Sequence, residues 1–98
     1  MLFISGQIPV DRAGNVPASF QDQALLAWAN VEAQLRAGRM TLDDIVKVTI
    51  YLSDRKYADE NRAVRRQVLG QRMVALTCII TGIFDAAWLL EIEAVAVR

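Results

Sequence analysis

Two glutamates near the end of the chain are the residues whose type and spacing most suggest chemistry. Glu91 and Glu93 lie in LLEIEAVAVR (residues 89–98), whose alternation is that of a strand and places both carboxylates in one row with Val95 and Val97. An unpartnered buried carboxylate costs on the order of several kcal/mol, and two neighbouring carboxylates repel each other and raise a pKa. We therefore expect either a water-filled or ligand-filled space with hydrogen-bond donors facing them, or pairing with arginines or backbone amides across an interface.

The composition predicts a single small domain that associates with copies of itself. The 98 residues carry no linker-like stretch, so residues 1–98 are interpreted as one domain. The apolar content of 54% is high for so small a body, which suggests that other subunits cover part of the apolar surface. The formal net charge is zero, so no overall attraction to nucleic acid or membranes is expected.

The absence of histidine removes several reaction types. Catalysis by Ser-His-Asp or Cys-His systems is impossible within the chain, and a zinc site with one thiolate and only carboxylates is improbable. The scattered glycines form no phosphate-binding loop, so neither a metal nor a cofactor is predicted. The single cysteine, with no leader pattern and no apolar run of about 18 residues, indicates a cytoplasmic protein without a membrane segment.

The periodicity of the chain predicts an α+β domain with the order β(β)αβαββ and two helices on one face of a sheet. The first helix is expected to begin at the N-cap Ser19 and to end at Gly38. The remaining predicted elements are strands at 1–8, 45–53, 74–83 and 89–98, an optional return strand near Val16, and a second helix from about Lys56 to Leu69.

Two elements carry further candidate residues. Asn61 lies on the apolar line of the second helix, where it either satisfies a backbone group, the commoner arrangement, or points into a site. Leu76 and Cys78 share one face of the strand at 74–83. Cys78 is interpreted as a small buried hydrophobe, because no cation lies near it in the sequence to lower its pKa.

Basic residues concentrate around the second helix. Asp54, Asp59 and Glu60 offset them, and no aromatic residues are interleaved as in a platform for single-stranded nucleic acid. The favoured interpretation is a solvated outer face, formed by Arg55, Lys56, Arg62, Arg65, Arg66 and Arg72.

Four segments resemble the Rid family (RidA/YjgF-like proteins, also labelled endoribonuclease L-PSP). They are LFISGQIPVD, LDDIVKVTIYLSD, the asparagine of ADENRAVRR, and EIEAVAV, and together they span nearly the whole chain. The resemblance implies a chorismate-mutase-like fold, a sheet backed by two helices, and a homotrimer with ligand clefts between neighbouring subunits.

The same resemblance implies a ligand cleft formed by five residues of this chain. They are Ser5, Gly6, Asn61, Cys78 and Glu91. In active relatives the equivalent residues surround a small carboxylate-bearing imine or enamine, and Glu91 would position the water that attacks the imine carbon. Hydrolysis would then release ammonia and a 2-keto acid.

Two departures from the family pattern bear on function. Active members carry an arginine two residues before the position of Cys78, in a stretch resembling RPARSCV, whereas this chain reads MVALTCI and places Leu76 there. An arginine binds a carboxylate through bidentate, charge-assisted hydrogen bonds that leucine cannot make. Nothing in the spacing suggests that Arg72 compensates. By the resemblance, family members usually open with a further strand, whereas Met1 here directly precedes LFISGQ, which is expected either of a short member or of a sequence whose true start lies upstream.

The leading functional hypothesis is a homotrimeric Rid-like protein that binds a small metabolite lacking the carboxylate, without standard 2-aminoacrylate/imine deaminase activity. One alternative is an imine/enamine deaminase with a compensated site. Another is the endoribonuclease or translation inhibitor of the family label. Glu91 is expected in the cleft, one row from Cys78 and Leu76, while Glu93 is expected to be structural and paired in the trimer core.

Overall fold

The computed structural model describes residues 1–98 as a sheet of four strands with two helices. The strands are β1 (Leu2–Gln7), β2 (Ile45–Leu52), β3 (Ala75–Ile80) and β4 (Leu90–Ala96), and the helices are α1 (Phe20–Ala37) and α2 (Ala58–Leu69). Short 3₁₀ turns at Leu42–Asp44 and Arg55–Tyr57 lead into β2 and α2. The order βαβαββ confirms the predicted α+β class.

The strands are arranged in the order β1-β4-β2-β3. β2 and β3 run parallel, as the crossover through α2 requires, and the other two pairs are antiparallel. Both helices contribute to one core on one face of the sheet. Its sheet residues are Ile4, Ile45, Val48, Ile50, Leu52, Leu90, Ile92, Ala94 and Ala96.

No helix covers the opposite face of the sheet, which we call the open face. Its side chains are those that alternate with the core residues along the strands. They include Phe3, Ser5, Lys47, Thr49, Tyr51, Glu91, Glu93 and Val95. None of the helices is both long and apolar enough to span a membrane.

The predicted return strand near Val16 is wrong, because the segment 8–19 forms an irregular loop. The Asp11 carboxylate accepts hydrogen bonds from the backbone N–H groups of Ala13 and Asn15, which closes a tight turn. The Asn30 side chain on α1 donates to the carbonyls of Ile8 and Val10 at 2.8 and 3.1 Å. These carbonyls are therefore satisfied by a helix side chain rather than by a partner strand.

Both predicted ends of α1 are confirmed. The Ser19 side chain accepts a hydrogen bond from the Asp22 N–H at 3.1 Å, and the Gly38 N–H donates to the carbonyls of Gln34 and Leu35. α2 begins at Ala58, two residues later than predicted, because Asp54 caps a separate 3₁₀ turn before it.

Two irregularities of the sheet displace residues from the simple alternation. β1 pairs Ile4 with Ala94 but Gln7 with Ile92, so one extra residue bulges at Ser5-Gly6. β2 likewise pairs Ile45 with Ala96 but Lys47 with Val95, which leaves Val46 as the extra residue. Val46 is 46% exposed, whereas Ile45 is buried, so the side chains of β2 do not alternate regularly at this point.

Candidate functional site

Glu93 has a hydrogen-bond partner within its own chain. β4 pairs with β2 so that Glu91 lies opposite Tyr51 and Glu93 opposite Thr49. The Tyr51 hydroxyl reaches diagonally and donates to Glu93 Oε1 at 2.6 Å. This bond to a carboxylate stabilises the neutral phenol and raises the pKa of Tyr51, with desolvation and the charges of both glutamates adding to the effect. The bond supports the structural interpretation of Glu93, and pairing in a trimer core stays a prediction.

Glu91 lies against Gly6 and has no hydrogen-bond or ion-pair partner in the chain. A Cβ built on Gly6 would fall 1.8 Å from Glu91 Oε2, so only glycine leaves room for this carboxylate. The bulge at Ser5-Gly6 brings the backbone to this position. Glu91 also borders a shallow open-face cleft of about 300 Å³, whose other walls include Tyr51, Glu93 and Phe84. The structure therefore brings Gly6 and Glu91 together, with the exposed Ser5 beside them.

A second cluster lies on the other side of the sheet, between α2 and the outer strand β3. Asn61 Nδ2 lies 4.0 Å from Cys78 Sγ, and the Asn61 side chain is only 3% exposed. Its Oδ1 atom is buried without a hydrogen-bond partner. Asn61 therefore satisfies no backbone group, and the commoner of its two predicted roles is wrong. A buried acceptor without a donor is costly, which favours a role at a site.

Cys78 is exposed on β3 rather than buried as predicted. The reason is that β3 is an edge strand, with no further strand of the chain beside it. Partial desolvation raises the pKa of the Cys78 thiol above its ordinary value, and the charge of Arg65 lowers it in part. The thiol is therefore neutral at pH 7. Arg65 is a cation near Cys78 in space that the sequence did not reveal.

Within one chain, Glu91 and the pair Leu76–Cys78 lie on opposite faces of the sheet. Cys78 pairs with the buried Ile50, so Cys78 and Leu76 point towards the helices. Glu91 shares its register with Tyr51, and Tyr51 with Ile79, all on the open face. The expectation that Glu91 lies one row from Cys78 and Leu76 is wrong for a single subunit.

The predicted site thus divides into two half-sites, an open-face half-site and an edge half-site. The open-face half-site is formed by Ser5, Gly6 and Glu91, with Tyr51 and Glu93 beside them. The edge half-site is formed by Asn61, Leu76 and Cys78. No group of three or more metal-ligating side chains lies together anywhere in the chain.

Arginines lie beside Leu76, one residue of the edge half-site. A cleft of about 280 Å³ is lined by Leu76 together with Arg65, Arg66 and Arg72. The Arg72 guanidinium is already engaged, since its Nε lies 2.7 Å from the Asp43 carboxylate and its Nη1 donates to the Leu69 carbonyl. The interpretation of the basic residues as a solvated outer face is therefore incomplete, because three of them line a cleft.

The fold and site define a class of protein: an α+β domain whose sheet has one helix-covered face and one open face with two carboxylates. Comparison with known proteins identifies this class. The family described as endoribonuclease L-PSP matches residues 1–98, and the chain belongs to this family. The resemblance to RidA/YjgF-like proteins is thereby confirmed.

Individual relatives agree with this assignment. The 2-iminobutanoate/2-iminopropanoate deaminase of Escherichia coli K12 is 33% identical over 102 residues, a match that covers 100% of this chain and 80% of that protein. The crystal structure of E. coli TdcF with bound serine superposes with a TM-score of 0.92 at 35% identity, over 98% of this chain and 79% of TdcF. Yeast Mmf1 gives a TM-score of 0.92 at 30% identity, over 98% of this chain and 78% of Mmf1.

Proposed function

We propose that this protein is a homotrimer that binds a small metabolite in clefts between subunits, without standard 2-aminoacrylate/imine deaminase activity. The observation that carries the proposal is the division of the predicted site between two faces of one sheet. Glu91 and Cys78 of one chain cannot contact one ligand, whereas the open face of one subunit packed beside the β3 edge of another places both half-sites around one cleft.

The exposed apolar residues support assembly through these surfaces. Phe3 on the open face is 75% exposed, and Phe84, beside the cleft at Glu91, is 94% exposed. Ile79 and Ile80 of β3 are also exposed. Large apolar side chains at this density indicate a protein–protein contact, and covering them would offset the small core of a domain of this size.

Leu76 is the reason for proposing that standard deaminase activity is absent. By resemblance to active relatives it takes the place of an arginine, and charge-assisted hydrogen bonds to a carboxylate are worth about 1.5–3 kcal/mol each. The loss of a bidentate pair at this position weakens binding of an amino-acid-derived imine by orders of magnitude.

The test is hydrolysis of 2-iminopropionate, generated enzymatically in the assay and followed by release of ammonia and pyruvate. We expect turnover far below that of the E. coli 2-iminobutanoate/2-iminopropanoate deaminase measured in parallel. Leu76→Arg should raise the rate, and Leu76→Met, which changes shape without adding charge, should not. Wild-type turnover equal to that of the E. coli enzyme would contradict the proposal.

A second candidate, an imine/enamine deaminase with a compensated site, is favoured by the arginines that line the cleft at Leu76. In that case the wild type would turn over 2-iminopropionate and Leu76→Arg would add little. The family's endoribonuclease label finds less support, since a chain without histidine and with zero net charge offers neither the usual general base nor attraction to RNA.

A further inference from the structure

The cleft between α2 and β3 has a regular geometry. Asn61 faces Cys78 at 4.0 Å, and the chain reverses direction between α2 and β3 through residues 70–74. One helical turn of four residues advances about 6 Å, and two strand residues advance about 6.6 Å. Arg65, one turn beyond Asn61, therefore stands opposite Leu76, two residues before Cys78. Both Arg65 and Leu76 line the same cleft, as this register requires.

Arg65 has no anionic partner in this position. The Arg72–Asp43 pair is the only ion pair of the chain, and neither Arg65 nor Arg66 donates a side-chain hydrogen bond. The acidic residues of α2, Asp59 and Glu60, lie in its first turn. A half-buried guanidinium beside two other arginines experiences like-charge repulsion that a bound anion relieves.

Asn61 provides a second, independent observation. Its buried Oδ1 atom lacks a donor, although Nδ2 contacts the Cys78 sulfur. The unpaired guanidinium and this unpaired acceptor belong to residues one helical turn apart, a spacing of about 6 Å. An anionic group bound at Arg65 would therefore lie about one helical turn from a buried polar atom that has no partner within the chain.

We propose that Arg65 supplies the anion-binding guanidinium of this cleft, in place of the arginine that Leu76 replaces, so that the ligand is a small carboxylate-bearing molecule. This inference rests on the proposed function and revises the expectation of a ligand without a carboxylate. The guanidinium approaches from the helix rather than from the strand, so the carboxylate is held in a different place relative to the water expected at Glu91. Binding is thereby retained while standard imine hydrolysis is not.

The experiment is isothermal titration of the assembled protein with pyruvate and with pyruvamide, which differ only in a carboxylate against a neutral amide. We expect pyruvate to bind more tightly than pyruvamide, and Arg65→Gln to weaken pyruvate binding about tenfold or more while leaving pyruvamide unchanged. Arg65→Lys should restore part of the affinity, since a point charge remains. Arg62→Gln is the matched control, because Arg62 lies on the same helix, is exposed and does not line the cleft.

The outcomes separate this inference from the proposed function. Equal pyruvate affinity in the wild type and Arg65→Gln overturns the role of Arg65, as does a wild type that fails to bind pyruvate. Titration of Leu76→Arg then decides the wider proposal. If Leu76→Arg binds pyruvate, the cleft exists and only Arg65 was wrongly assigned, whereas no binding by either protein also overturns the proposed binding function.

Discussion

The Glu91 carboxylate lies so close to the backbone of Gly6 that a methyl group at residue 6 would fall 1.8 Å from Oε2. The backbone of Gly6 does not require glycine, since its φ is not in the left-handed region. Space for the carboxylate is what requires it. The bulge in β1 and the missing side chain of Gly6 together allow Glu91 to lie flat on the open face.

Gly6→Ala should therefore displace the Glu91 carboxylate with little loss of stability, because the end of a flexible side chain can move aside. We expect a crystal structure of the variant to show a different Glu91 rotamer, and thermal unfolding to change by only a few degrees. Gly82→Ala is the control, since a Cβ there meets no atom within 4 Å.

A double-mutant cycle isolates this contact. In a Glu91→Ala background the Gly6→Ala change should have no further effect on the affinity for pyruvate measured by titration. The effects of the two substitutions should therefore be strongly non-additive. Additive effects would show that Gly6 acts through the backbone of β1 rather than through Glu91.

The Tyr51–Glu93 hydrogen bond should make the free energy of unfolding decrease at alkaline pH. Because the folded-state pKa of Tyr51 is raised above its ordinary 10.0, the unfolded chain ionises first, and stability present below about pH 10 is lost as the pH rises through the folded-state pKa. Absorbance at 295 nm should show Tyr51 titrating later than in a Glu93→Gln variant, where the charged acceptor is gone. Tyr51→Phe should remove this alkaline contribution, and an unshifted titration in Glu93→Gln would contradict the assignment.

The local signals in the sequence predicted the helices well. Ser19 and Gly38 end α1 by hydrogen bonds to groups within a few residues, and the spacing of Asn61 with the apolar stripe of α2 placed it on the buried side. Such signals are contained in one element. The return strand near Val16 failed because the Asn30 side chain, distant in sequence, satisfies the carbonyls of that loop.

The site was only partly predictable because it depends on register between elements. The pairing of Tyr51 with both Glu91 and Ile79 decides that Glu91 and Cys78 lie on opposite faces, and no spacing within β3 or β4 contains that information. Arg65 was missed for the same reason, since its neighbour Leu76 lies across a chain reversal. Its four-residue spacing from Asn61 was the only available signal.

Gln23 should be the polar residue on which the fold depends most. It is 2% exposed, and its side chain donates to the carbonyls of Pro17 and Ala87 and accepts from the Leu89 N–H at 2.8 Å. Gln23→Ala leaves these groups without partners at the entrance to β4. Because an unsatisfied buried group costs about 1–3 kcal/mol, we expect a loss of about 2–4 kcal/mol in the free energy of unfolding.

Urea unfolding at fixed protein concentration measures this loss. The control is Gln34→Ala, which changes an exposed glutamine of the same helix and should alter stability by less than about 0.5 kcal/mol. Equal effects of the two substitutions would mean that water replaces the bonds of Gln23.

Phe3 tests the assembly that the proposed function needs. Its side chain is 75% exposed on the open face, beside Ser5 and Val95 in a shallow pocket of about 350 Å³. A carboxylate at this position would be buried without a partner if a second copy covers the face, which costs several times the thermal energy. Phe3→Asp should therefore convert trimers to monomers in sedimentation velocity, whereas Gln71→Asp, in the exposed turn after α2, should leave the trimer intact. Because a monomer retains the same sheet pairing, its circular dichroism should match that of the wild type, and a trimeric Phe3→Asp protein would show that the open face does not form the subunit contact.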